Sequence, residues 1–309
     1  MHWKHWSTER LGVAFAVLAA LGFSFKAIFV KLAYAVPQAV PVDAVTLLAL
    51  RMVFALPVFL WVGFLSSRAA PPLSRRDWLA LGALGLLGYY GASIFDFIGL
   101  RYITAGLERL ILFTYPTLTV LIGVLFMGKT LKRREIGSLA LSYAGIGLAV
   151  VHDLRVAGEM KVVLLGAAFV FASSLSYAFY QAGSEPAIRR FGAARFTALA
   201  MLVSIGATLL HFVLTQPPTA FIQPWPIYAY GLGMALFSTV LPVFMNSAAI
   251  RRIGAAKTVL IGTLGPMLTI FFSWWLLAEP FSLFQLIGAG LVLAGVMLVS
   301  RHEDGDSVG

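Results

Sequence analysis

Six ionisable side chains stand inside otherwise apolar stretches: Lys26, Arg51, Asp96, Glu108, Arg109 and Lys257. A charge in hydrocarbon is costly, so such residues pair with one another or face a polar cavity, and they mark solute or ion paths. Two chemistries fit these types. Lys26 or Arg51 paired with Asp96 or Glu108 would tie helix ends together while the long stems snorkel outward. The same groups would equally make a binding site or gate for a charged or zwitterionic solute, with pairs that separate when a cavity opens. Polar neighbours favour the second reading. Thr104, Glu108, Tyr115 and Thr119 recur at spacings of 4, 7 and 4, one face of a helix. Thr258, Gly262, Gly265 and Thr269 make a similar polar, narrow stripe, Tyr89, Ser93 and Asp96 share a face, and so do Ser173, Tyr177, Tyr180 and Ser184. Any one Ser or Thr is explained by a bond to its own backbone. Four helices with one polar face each predict a solute-lined interior.

These residues sit in a chain that is 60% hydrophobic and 12% charged, over 309 residues, with mean hydropathy +0.89. An ordinary soluble domain carries about 25% charged residues, so this chain cannot clothe a water-soluble globule. Apolar runs of crossing length lie at 11–33, 44–65, 78–100, 104–127, 134–151, 162–183, 194–215, 226–248, 254–277 and 283–300. A bilayer crossing takes about 20 such residues, so the spacing predicts an all-α membrane fold of ten transmembrane helices, the fifth and tenth short. Lys4 and Arg10 precede the first run, which exceeds a secretory h-region of about 7–15 residues and is read as an uncleaved first span.

The net charge of +10 belongs to topology. With the N-terminus inside, fifteen basic residues (Lys4, Arg10, Arg68, Arg75, Arg76, Lys129, Lys132, Arg133, Arg134, Arg189, Arg190, Arg195, Arg251, Arg252 and Arg301) fall in cytoplasmic segments, against four (Lys31, Arg101, Arg155 and Lys161) outside. That bias predicts a multi-pass protein of a bacterial-type inner membrane with both termini cytoplasmic, and anionic lipid rather than nucleic acid as the partner of the basic loops. All seven Trp fall near span ends, as an interfacial belt requires.

Residues 101–150 align without a gap on 251–300, sharing Arg, Pro and Gly positions such as Arg101/Arg251, Pro116/Pro266 and Gly145/Gly295. Upstream, Leu11-Gly12-x-Ala14-Phe15 matches Leu165-Gly166-x-Ala168-Phe169. The chain therefore divides into two five-helix repeats, 11–151 and 162–300. Five is odd, so the second is inverted, an architecture that places a site between the halves and exchanges two packings of similar energy. The repeat equivalents of Lys26, Arg51, Asp96, Glu108 and Arg109 are Tyr180, about Leu202, Asn246, Thr258 and Val259: polarity is kept and charge is lost. By depth, the five charges of the first repeat fall in one layer near the outer face. Pro116 and Pro266 free the carbonyls of Leu112 and Gly262 and are the expected hinges. Ala140-x-x-x-Ala144 and Gly290-x-x-x-Ala294 in spans five and ten permit close packing, either internal or in a homodimer.

Leu50-Arg51 in the second span, Arg101-Tyr102-x-x-Ala105-Gly106 leading to Tyr115-Pro116-Thr117, and Ala278-Glu279-Pro280 before the tenth span resemble the drug/metabolite transporter superfamily, in the group with two EamA-type domains. The resemblance covers nearly the whole chain. It implies ten helices, four of each repeat around a central cavity with the fifth and tenth peripheral, and export of amino acids or related metabolites.

Catalysis finds little support. The five His (2, 5, 152, 211 and 302) show no metalloprotease spacing, Gly82, Gly85, Gly88 and Gly91 lie within a span, and there is no Cys. No enzyme activity, metal or cofactor is expected. The expected function is a secondary transporter, exporter or exchanger, of a small polar solute. Its substrate-binding or gate residues are Lys26, Arg51, Tyr89, Ser93, Asp96, Glu108, Arg109, Tyr115, Tyr177, Tyr180, Asn246, Lys257 and Thr258. A carrier of lipid-linked sugar or lipid, or a non-transport membrane protein, is the alternative.

Overall fold

The computed structural model describes residues 2–38, 41–128, 133–157, 159–253, 258, 261–280 and 282–300. Among them all regular structure is helical, with no strand. The helices are α1 (His2–Tyr34), α2 (Ala44–Ser67), α3 (Arg75–Gly99, with a π-helical turn at Leu86–Gly91), α4 (Ala105–Leu112 and Tyr115–Met127), α5 (Arg133–Ala157), α6 (Met160–Phe191), α7 (Ala193–Thr215), α8 (Trp225–Ala235, Leu236–Val240 in π geometry, and Leu241–Ile253), α9 (Leu264–Leu277) and α10 (Leu283–Ser300). Eight are long and apolar enough to cross a bilayer, and the apolar helices Leu264–Leu277 and Leu283–Leu298 are shorter. Helix is what lipid demands, because each backbone group must bond within its own segment.

Polar side chains start several helices. Asp43 accepts from the N–H groups of Val45 and Thr46 at 2.8 and 3.0 Å, Ser74 and Asp77 form a capping box, and Thr104 accepts from Leu107 N–H at 3.2 Å. Each fills donors that the first turn leaves open.

The two halves are exchanged by an approximate two-fold axis. α1 packs on α8 as α6 packs on α3; α1 packs on α9 as α6 packs on α4; α2 packs on α8 as α7 packs on α3; α2–α7 and α5–α10 are their own counterparts. Single atoms repeat the pattern. A Cβ on Gly12 of α1 would stand 2.6 Å from Ile253 Cγ2, and one on Gly166 of α6 would stand 2.7 Å from Ile103 Cγ2. The π turns begin 150 residues apart, and the left-handed C-caps Gly128 (φ 68°) and Ala278 (φ 52°) are equivalent too. Since α1 and α6 are five crossings apart, the exchange inverts one half against the other.

The breaks differ from simple proline kinks. α4 stops at Leu112 and restarts at Tyr115, with Pro116 in the first turn of the new segment, where its missing N–H costs nothing. The Leu112 carbonyl accepts from Ser174 Oγ of α6 at 3.2 Å. α9 likewise restarts after a turn at Thr263, with Pro266 in its first turn.

Large apolar side chains face outward, including Trp61 (66% exposed), Trp225 (76%), Leu79 (74%) and Leu125 (74%). Such a surface is stable only against lipid. α5 and α10 pack against each other through Gly145, Gly288 and Gly295, and Ser138 Oγ donates to the Gly295 carbonyl at 2.6 Å. Ala140, Ala144, Gly290 and Ala294 lie on the exposed faces of the two helices, so the internal contact uses a neighbouring stripe. α5 also runs past its expected end at 151 to Ala157.

Candidate functional site

The charged layer assembles from α1, α2, α3 and the first segment of α4. Lys26 Nζ lies 2.8 Å from Asp96 Oδ2 and 3.3 Å from Glu108 Oε1. The ammonium is 19% exposed, and the carboxylates are 1% and 0% exposed. Beyond that ammonium and each other, the two carboxyl groups meet no hydrogen-bond partner. Arg51 is 5% exposed; it donates to Ser93 Oγ at 3.2 Å, and its guanidinium lies 5.4 Å from the Phe97 ring centre. Arg109 is 9% exposed, 5.4 Å from the Phe113 ring centre, and one of its terminal nitrogens lies 3.3 Å from where a Cβ on Gly265 of α9 would stand. Gly265 thus leaves the room that its repeat counterpart, Tyr115, fills. Among the described residues no carboxylate lies within ion-pairing distance of Arg51 or Arg109, and the Nε of each is without a hydrogen bond. By formal charge, three basic and two acidic side chains leave the layer one positive charge in excess.

The tyrosines gather elsewhere. Tyr89 and Tyr115 lie seven residues along their helices from Asp96 and Glu108, about 10 Å at 1.5 Å per residue. Tyr89 and Tyr180 hydroxyls are 2.9 Å apart, Tyr115 meets Tyr177 edge-on at 4.9 Å, and Tyr177 lies 5.4 Å from Tyr180. The first repeat supplies Tyr89 and Tyr115, and the second supplies Tyr177 and Tyr180, so an aromatic seam joins the halves. The Tyr180 ring lies where a Cβ on Gly88 would be, at 2.3 Å, flush against the π turn of α3. Serines of α6 tie the same helices: Ser173 donates to the Ala92 carbonyl at 2.6 Å and Ser176 to the Leu87 carbonyl at 2.7 Å. Ser184 bonds its own helix, at the Gln181 carbonyl.

Of the expected site residues, Lys26, Arg51, Ser93, Asp96 and Glu108 come together, Arg109 borders them, and the four tyrosines form the second cluster. Asn246 is half-buried on α8 and Thr258 is buried. Lys257 lies outside the described residues.

A second network had no counterpart in the sequence reading. Glu279 accepts from Ala105 N–H at 3.1 and 3.4 Å and faces Lys31 Nζ at 3.5 Å. Burial pushes its carboxyl above the usual carboxylate range, against the pull of Lys31 and the Ala105 N–H. Asp153 accepts from Thr104 N–H and Thr104 Oγ1, both at 2.8 Å, and His152 Nε2 donates to the Pro280 carbonyl at 2.8 Å. This network binds the start of α4 to the end of α5 and to the α9–α10 loop. Its one visible signal was Glu279 within Ala278-Glu279-Pro280. Asp153 was hidden because the expected span ended two residues before it.

An outward apolar surface, a two-fold exchange of inverted halves and an interior layer of buried charge define a multi-pass membrane protein. The EamA-like transporter family matches residues 10–151 and 164–301. An uncharacterised transporter of Bacillus subtilis is 30% identical over 291 residues, covering 90% of this chain and 89% of that protein. A probable terminal-alkyne amino-acid exporter of Streptantibioticus cattleyicolor is 26% identical over 248 residues, covering 77% and 80%. A solved crystal structure superposes with a TM-score of 0.61 at 18% identity, over 94% of this chain and 98% of its own, a likeness of fold. The chain belongs to the EamA-like transporter family and is a membrane transporter.

Proposed function

We propose that this transporter moves a small zwitterionic metabolite, an amino acid or a close relative, outward or in exchange, by alternating access between its inverted halves. One observation carries the reading: the charged layer holds two buried guanidinium groups with unfilled donors beside two carboxylates that share one ammonium. A solute carboxylate satisfies Arg51 and Arg109, and a solute ammonium competes with Lys26 for Asp96 and Glu108. Binding then loosens the contact that holds α1 to α3 and α4. The relative named as a probable amino-acid exporter supports this class of solute.

The positive-inside distribution supports cytoplasmic termini, so the face of Lys31, Arg101 and Glu279 is taken as the outer one. The exposed small-residue stripes of α5 and α10 offer a face for a second copy in the membrane. Flux of a broad metabolite panel into proteoliposomes, with and without a pH gradient, tests the function. Saturable flux of zwitterions that Glu108→Gln abolishes is the expected result. No flux of any polar solute overturns it.

A further inference from the structure

Above the charged layer the protein keeps a cavity of about 350 Å³, lined by Lys31, Tyr34, Arg101 and Glu279 on its polar sides and by Val42, Leu100 and Leu277 on its apolar ones. Ligand cavities start at about 300 Å³, so a small metabolite fits. Arg101 is exposed, its guanidinium 6.0 Å from the Tyr34 ring centre, and among the described residues no carboxylate lies within ion-pairing distance of it. Glu279 stands on the same cavity, 14% exposed. Beneath, Tyr34 donates to the Phe97 carbonyl at 2.7 Å, and Phe97 carries Arg51 on its ring. Two guanidinium groups, each on an aromatic face, are thus stacked on either side of the Tyr34–Phe97 contact.

We propose that this vestibule is a second binding station for a small zwitterion, with Arg101 receiving its carboxylate and Glu279 facing its ammonium. The lining holds two cations, Lys31 and Arg101, and one carboxylate, Glu279, which already faces Lys31 at 3.5 Å. A solute carboxylate takes the guanidinium that has no carboxylate partner, and the solute's ammonium shares Glu279 with Lys31. An aromatic face beneath the guanidinium holds its plane while leaving its N–H edge free for bidentate carboxylate binding. The station deepens the solute reading above and places a waiting site between the charged layer and the water.

The native chain has no Cys, so Ala35→Cys puts a single thiol on the cavity wall. Its maleimide labelling rate, measured on the purified full chain in nanodiscs, reports occupancy without any transport. The full set of proteinogenic L-α-amino acids is the probe, each with its amide as the carboxylate-free control. The expected result is that at least one acid, at millimolar concentration, slows labelling severalfold while its amide does not. Arg101→Gln removes that protection and Arg101→Lys restores part of it. Lack of protection by every acid, equal protection by acid and amide, or protection that survives Arg101→Gln overturns the station. Protection without flux in the proteoliposome assay would keep the station and overturn the transport reading.

Discussion

Replacing Arg51 with Met separates a binding role from a structural one by the size of the stability change. Burying a guanidinium costs several kcal/mol. Arg51 recovers about 1.5–3 kcal/mol from a charged hydrogen bond such as that to Ser93 and about 0.5–2 kcal/mol from the Phe97 ring. The two sides are of similar size, and Met fills much of the same volume without the charge. Arg51→Met should therefore shift unfolding stability by no more than about 1 kcal/mol in either direction. A structural ion-pair clamp would behave otherwise, since breaking a buried pair from one side costs about 3–5 kcal/mol. Solute binding should respond strongly: losing one charge-assisted hydrogen bond of about 2–3 kcal/mol weakens affinity roughly 30- to 150-fold. Unfolding titrations in mixed detergent give the first quantity, and flux per folded molecule gives the second. A stability loss near 4 kcal/mol with flux retained refutes the reasoning and makes Arg51 a clamp.

Three further outcomes follow from the same geometry. Lys26→Met strands two buried carboxylates and should cost about 3–5 kcal/mol, most of it regained when Asp96→Asn and Glu108→Gln are added; a triple variant no more stable than Lys26→Met, in the same titration, contradicts the shared-ammonium arrangement. Ala278→Gly should raise stability by about 0.5–1 kcal/mol, because a left-handed backbone costs an L-residue about 1–2 kcal/mol and glycine's extra unfolded freedom returns about 0.4–1 of it. Glu279 has its carboxyl raised by burial, so the folded state holds the proton more tightly than the unfolded chain. Its stabilising contribution is complete below the ordinary value of 4.5 and is lost as pH rises through the raised one. Melting temperatures should therefore fall more steeply with rising pH for the native chain than for Glu279→Gln, and parallel curves would contradict the shift.

The sequence carried the architecture because lipid leaves so few choices. Length and hydropathy named the crossings, and the fixed offset named the exchange, since equivalent positions such as Gly12 and Gly166 meet equivalent neighbours. The charged layer was legible for the same reason: helical rise put Lys26, Asp96 and Glu108 at one depth, and hydrocarbon forces charges at one depth to meet. What escaped was lateral and local. Helical periodicity put tyrosines and charges on shared faces, but it could not tell that the tyrosines would close on one another across the halves, with only Tyr115, among the described residues, near a charge, that of Arg109. It also could not show that Ser173 and Ser176 would spend their hydroxyls on backbone carbonyls opened near a π turn. π geometry leaves no composition signature, so the proline positions drew attention instead.

The scaffold is nearly symmetric while its chemistry is not, and this difference bears on the proposed cycle. Under the repeat, Lys26, Asp96 and Glu108 correspond to Tyr180, Asn246 and Thr258, a set with no formal charge. In the structure α2 packs on the last segment of α3, where Arg51 meets Ser93 and Phe97, whereas among the described residues α7 makes no comparable contact with residues 241–253 of α8. The buried charge of α1–α4 thus gathers toward the Arg101 face. Among the described residues the Arg252 face is tied at helix ends, by Arg190 on Asp77 at 3.1 Å and by Arg195 on Ser67 and the Pro71 carbonyl. Two equal halves alone would give two states of equal energy. Placing buried charge in the layer of one half and neutral polar groups at its repeat counterpart makes the states unequal, and makes the charged layer the one whose contacts a zwitterion can undo. A solute without charged groups would offer Arg51 no carboxylate and would leave Lys26 on both carboxylates. On this argument the charge imbalance of the layer, rather than the shape of the cavity, selects what can open it.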